Sequence, residues 1–161
     1  MKKVLSIFIL IFTFPLLRAQ SEHEEHDHFH QREISIASAP AFFFGEEAGS
    51  VAWGLHAEYA HRLGEKRWAL GAAYEHLWDE HQHRTYSLNF QYSPGYHTHL
   101  SFEPGITTEF HDGVREWIPT FHLEFAYEWE IGLLDVGPYA ELAVEPHAQH
   151  LSAGLHVALP F

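Results

Sequence analysis

The sequence predicts an all-β chain, an eight-stranded antiparallel transmembrane β-barrel behind a cleaved signal peptide. Three observations predict it. The chain opens on an apolar leader; the remainder alternates with a period of two; and on each alternating segment the bulky residues share one face while Gly, Ala, Ser and Glu share the other.

The leader sets the compartment. Met1-Lys2-Lys3 is a basic start, residues 4–17 form an almost unbroken apolar run, and Leu17-Arg18-Ala19 places a small residue before Gln20. A spanning helix requires roughly 20 apolar residues, so this run is too short to be one. Residues 1–19 therefore read as a secretory signal peptide. Its removal takes away Lys2, Lys3 and Arg18 and no acid, so the formal net charge of −13 becomes three units more negative. Such a balance excludes nucleic acid as a partner, because phosphate is neutralised by Lys and Arg, and it makes cations the natural counterpart. The chain has no cysteine, hence no disulfide, no thiolate nucleophile and no thiolate metal ligand. Its single Met is at position 1, which leaves no thioether for Cu(I).

Residues 20–32 come next, before any alternation begins. The stretch SEHEEHDHFH at 21–30 carries His23, His26, His28 and His30 among carboxylates. High charge without an apolar period predicts a disordered segment, and an imidazole-rich one is a flexible chelator of low specificity. The plainer alternative is a solvated acidic linker.

Eight strand segments follow, at 33–44, 51–62, 67–78, 84–92, 97–110, 116–130, 134–145 and 150–161. In the second, Trp53, Leu55, Ala57 and Tyr59 alternate with Gly54, His56 and Glu58. In the fourth, Tyr86, Leu88, Phe90 and Tyr92 alternate with Ser87, Asn89 and Gln91. Tight turns at 62–66, 93–96 and 131–133 alternate with polar loops at 46–47, 79–83, 111–113 and 146–149. Pro40, Pro104, Pro119 and Pro138 fall inside segments, where each deletes a ladder donor, so bulges are expected around them.

Alternating strands bury their bulk either inward, as a soluble barrel or sandwich, or outward against lipid. A soluble barrel would crowd its other face with Lys, Glu and Thr. Here that face is small, which suits a narrow lumen inside a wall of Leu, Phe, Trp and Tyr. Aromatic placement agrees: Trp53, Trp78, Tyr86 and Trp117 fall at loop ends, and Tyr59, Trp68, Tyr92, Tyr127 and Trp129 at turn ends, as two interfacial girdles require.

The leader, the eight amphipathic strands, the turns alternating with loops and the closing LSAGLHVALPF resemble the small outer-membrane β-barrels of Gram-negative bacteria, the OmpA/OmpX type, over residues 33–161. The resemblance implies a barrel surrounded by outer-membrane lipid, with termini and tight turns in the periplasm and the loops outside. It also implies that Phe161 is the terminal aromatic through which the barrel-assembly machinery recognises the last strand.

Within that frame His56, His99, His122 and His156 point into the lumen. Counted from the turn end, His56, Glu103, Glu124, Glu141 and His156 lie at similar depth and form a candidate cluster. The loop end carries His81, His83, His111, His147 and His150 among carboxylates. Imidazole with carboxylate oxygen is a ligand set for Zn(II), then for Ni(II) or Cu(II). The expected function is thus binding of a divalent transition metal, zinc foremost, by tail, loops and the lumen residues His56, Glu103, His122, Glu124, Glu141 and His156, for capture, buffering or transit. Two other readings stay open. One is a structural barrel whose polar lumen satisfies itself. The other is a lipid-modifying enzyme using His150 and Ser152, two apart on one strand face, with Glu141 or Glu145 beside them.

Overall fold

The computed structural model describes residues 30–45, 48–64, 66–111 and 113–161, the side chain of His111 excepted. The signal-peptide reading, most of the predicted disordered segment with His23, His26 and His28, and Glu46, Glu47 and Asp112 lie outside the described residues. Strands occupy nearly all the rest: β1 (Arg32–Gly45), β2 (Val51–Arg62), β3 (Trp68–Trp78), β4 (Arg84–Gly95), β5 (Thr98–His111), β6 (Val114–Tyr127), β7 (Trp129–Ile131), β8 (Leu134–Val144) and β9 (Ala148–Pro160).

These nine segments make eight barrel strands, because β7 continues β6. Both pair with β8 in one register, Ala126 opposite Tyr139 and Trp129 opposite Val136. The interruption at Glu128 falls beside Gly137, where a Cβ would sit 1.8 Å from the Tyr127 carbonyl oxygen, and Pro138, which has no N–H to donate. Neighbouring strands are antiparallel throughout, and β1 closes the barrel on β9, with Ala37 opposite His156 and Phe42 opposite Leu151. An even number of antiparallel strands is what allows first and last to meet in this way. The closure is sealed at the turn end, where Arg32 and Phe161 exchange backbone hydrogen bonds of 3.1 and 2.8 Å.

The bulky residues face outward. Trp53, Trp78, Tyr86, Leu88, Trp117, Leu123, Trp129 and Leu155 are all exposed on the barrel wall, whereas Ala37, Ala39, Ala41, Ala52, Ala60, Ala69, Ala126, Ala143 and Ala158 are buried inside it. An apolar exterior around a polar interior is the arrangement of a barrel solvated by lipid.

Three details differ from the sequence-based expectations. First, the register runs unbroken past Pro40, with Ser38 opposite Leu155 and Ala41 opposite Ser152, and past Pro104, with Ser87 opposite Gly105 and Phe90 opposite Phe102. Pro40, Pro104, Pro119 and Pro138 sit at outward positions, so a missing donor weakens the ladder on one side without adding a residue to it. The one register shift that does occur lies between Tyr92 and Gly95, around Pro94. Secondly, Ser93 to Gly95 therefore belong to β4, and the turn is Tyr96-His97. Thirdly, His111, expected in a polar loop at 111–113, belongs to β5, where it pairs with Val114, and Gly113 has φ 80°.

Candidate metal centre in the lumen

β1 makes the room. Its inward residues Ser35, Ala37, Ala39 and Ala41 are small, and Ala37 stands between His56 on one neighbour and His156 on the other. Both imidazoles can thus extend across the axis. Opposite them the ladders place Glu103 beside His122, Glu124 beside Glu141, and His56 beside Glu75. His56, Glu58, Glu75, His99, Glu103, His122, Glu124, Glu128, Glu141, His150 and His156 are all buried, and Arg62 is the only buried basic side chain among the described residues apart from histidine.

The centre of this group is His56. Its Nδ1 lies 2.8 Å from Glu141 Oε2 and 3.3 Å from Glu124 Oε2. Its Nε2 lies 3.3 Å from Glu103 Oε2 and 3.8 Å from Glu58 Oε1. Glu103 is held in turn by the Ser87 hydroxyl, which donates to Oε2 at 3.0 Å. His56 Nδ1, Glu124 Oε2 and both oxygens of Glu141 are buried and make no aligned hydrogen bond, although they are close together. A tetrahedral shell with bonds of 2.0–2.1 Å separates its donors by about 3.3 Å, so these spacings fit a single Zn(II)-sized ion on the Nδ1 face. Glu103 then takes the place of the outer carboxylate that commonly orients a metal-bound imidazole through its other nitrogen.

Toward the turn end several side chains are paired, although Glu58 Oε1, Asn89 Oδ1 and Gln91 Oε1 are buried without a hydrogen-bond partner. Glu128 accepts from His156 through one oxygen and lies 2.8 Å from His99 Nε2 through the other. Asn89 donates to Glu58, and Gln91 is bonded to His99. Arg62 closes this end, its Nε donating to the His30 carbonyl at 3.1 Å. Toward the loop end Ala41, Phe43, Ala52, Leu77 and Ala148 form an apolar plug. Phe43 separates His150 from His83, with ring centroids 5.2 and 5.9 Å away.

Of the residues expected to bind metal, His56, Glu103, Glu124 and Glu141 meet directly, and His122 joins through Glu141, its Nδ1 3.5 Å from Glu141 Oε1. His156 lies toward the turn end, grouped with Glu58 and Glu124 and hydrogen-bonded to Glu128. The loop-end residues His81 and His83 have other partners. His83 is taken by Asp79, which holds both its Nδ1 and its backbone N–H, and by Glu109 at 2.9 Å. His81 Nδ1 is 3.3 Å from the Phe110 carbonyl, and His147 is exposed. His30 contributes its carbonyl to Arg62, not its ring.

His150 was expected beside the loops and is instead lumenal. β9 starts at Ala148, so His150 shares the inward face of His156. Its Nε2 is 3.5 Å from Glu75 and 3.6 Å from Glu141, and the Ser152 hydroxyl has no hydrogen-bond partner, so no Ser–His bond forms. Glu58, Glu75 and Glu128 were missed as site residues, and His150 was assigned to the loop end and not to the lumen. All were on inward positions of the period-two pattern, and parity alone would have found them.

Together, fold and interior define a class: a closed eight-stranded membrane-type β-barrel with an imidazole–carboxylate lumen. Solved structures agree on the fold. The chain is similar to Neisserial surface protein A, NspA, with a TM-score of 0.58 at 6% identity over 81% of this chain and 97% of that one. It is also similar to Ail, the attachment invasion locus protein of Yersinia pestis, with a TM-score of 0.53 at 11% identity over 83% of this chain and 100% of that one. No protein-family model matches the chain, and no curated protein matches it in sequence.

Proposed function

We propose that this is an outer-membrane barrel that binds a divalent transition metal, zinc foremost, in its lumen at His56, Glu124 and Glu141, and so captures or buffers that ion. One observation carries the reading: three buried ligand atoms stand at metal-shell spacing without hydrogen-bond alignment, in a lumen with many more carboxylates than fixed cations. Buried carboxylates without a counter-charge are costly, and a divalent ion supplies one. The plug at one end and Arg62 at the other favour retention over transit. The tail histidines His23, His26, His28 and His30 would add a weaker chelating segment on the periplasmic side.

The turn-end layer supports a structural role instead, because His99 and His156 share Glu128 there, Gln91 bonds His99 and Asn89 donates to Glu58. Calorimetry of the refolded barrel tests the metal reading. Zinc should bind with measurable heat, and His56→Asn should abolish the tight phase; no heat with zinc, nickel or copper would refute it.

A further inference from the structure

The lumen holds a second imidazole group that the His56 position leaves unused. Glu141 turns Oε2 toward His56 and Oε1 the other way, 3.5 Å from His122 Nδ1 and 3.6 Å from His150 Nε2. Glu75 reaches the same group from β3, with Oε1 3.5 Å from His150 Nε2 and Oε2 3.9 Å from His122 Nε2. Both nitrogens of His122, the Nε2 of His150 and the Oε1 of Glu141 are buried without a hydrogen-bond partner. An imidazole has at least one N–H to place, so a buried ring with neither nitrogen satisfied forfeits about 1–3 kcal/mol per group.

We infer that the lumen carries a dinuclear centre: a second divalent transition metal held by His150 and Glu75, joined to the ion at His56 through a bridging Glu141, with His122 beside that bridge. The spacings of His150 Nε2 from Glu75 and Glu141, 3.5 and 3.6 Å, are close to the separation of about 3.3 Å between donors in a tetrahedron of 2.0–2.1 Å bonds. Charge gives an independent argument. Glu75, Glu103, Glu124 and Glu141 are buried together with no Lys or Arg among them. With Glu58, 3.8 Å from His56 Nε2, they make five carboxylates; one divalent ion offsets two of those charges and two ions offset four, with the imidazoles left neutral as ligands. The ring of Phe43, 5.2 Å from that of His150, covers the second position on the loop side.

The inference rests on the metal reading of His56, and cobalt separates the two. The probe is Co(II) added to the refolded mature chain carrying His23→Ser, His26→Ser, His28→Ser and His30→Ser, so that the tail does not contribute. Two ions per barrel should survive gel filtration, with a spin-coupled signal by electron paramagnetic resonance. His150→Asn should reduce the count to one and uncouple it. The isosteric Glu141→Gln should abolish coupling in a chain whose circular dichroism is unchanged. A single retained ion that His150→Asn does not displace would overturn the dinuclear centre while sparing the first site; no retained ion would overturn both.

Discussion

Glu124 on β6 stands directly opposite Glu141 on β8, and one oxygen of each faces a single atom, Nδ1 of His56, at 3.3 and 2.8 Å. Like charges directly opposite on adjacent strands destabilise the pair, so this juxtaposition opposes folding unless a cation lies between them. Glu124→Gln should therefore stabilise the metal-free barrel by up to about 1 kcal/mol. It should also remove most of the zinc-linked stabilisation, which for a free ion at 100 times Kd is about 2.7 kcal/mol. Urea unfolding in chelator and in zinc measures both, and a variant less stable in chelator would contradict the repulsion.

Lipid contact makes a second prediction. Leu88 is exposed at mid-length of β4, on the wall that meets hydrocarbon. Leu88→Arg should cost about 2–4 kcal/mol in a bilayer. Folding equilibria in lipid vesicles would show it; an unchanged midpoint would place Leu88 in water.

Close strand approach makes a third. A Cβ on Gly71 would lie 1.7 Å from the Tyr59 carbonyl oxygen, so Gly71→Ala must push β2 and β3 apart. Overpacking of this kind costs about 1–3 kcal/mol. Gly95 has nothing within 4 Å of its Cβ direction, and Gly95→Ala should be neutral or slightly stabilising in the same denaturation assay.

The loop pair of His83 and Asp79 sets a pH dependence. Burial pushes the His83 imidazolium down, but its hydrogen bond and charge interaction with Asp79, joined by Glu145 and Glu109, outweigh burial and raise it from 6.5 to about 9. Burial likewise pushes the Asp79 carboxyl up, yet His83 overcomes it and holds the group below its usual 3.8. A raised His contributes stability that is complete below pH 6.5 and lost as pH rises through about 9. A depressed Asp contributes stability that is complete above pH 3.8 and lost as pH falls below it. The pair should therefore brace the loop most strongly between these limits. Nuclear magnetic resonance titration of His83 should give a midpoint near 9, and Asp79→Asn should lower it; a midpoint near 6.5 in the parent would refute the pairing.

The sequence by itself determined the strands and their faces. A period of two is a property of each segment alone, so Trp53 against Gly54 or Leu88 against Asn89 announces which side meets lipid before any partner is known. It also determined that His56, His122, Glu124, Glu141 and His156 face inward, and the same parity applied to Glu58, Glu75 and His150 would have added them.

Which inward residues meet was decided only by the tertiary structure, because that depends on register and closure between strands distant in sequence. Pairing His56 with Glu75 yet aiming Glu75 at His150, setting Glu124 against Glu141, and sending His156 to Glu128 all follow from the stagger of a closed barrel. The prolines illustrate the same limit. A strand's sequence does not say on which side a lost donor falls, and only the assembled ladder showed that Pro40 and Pro104 leave the register intact.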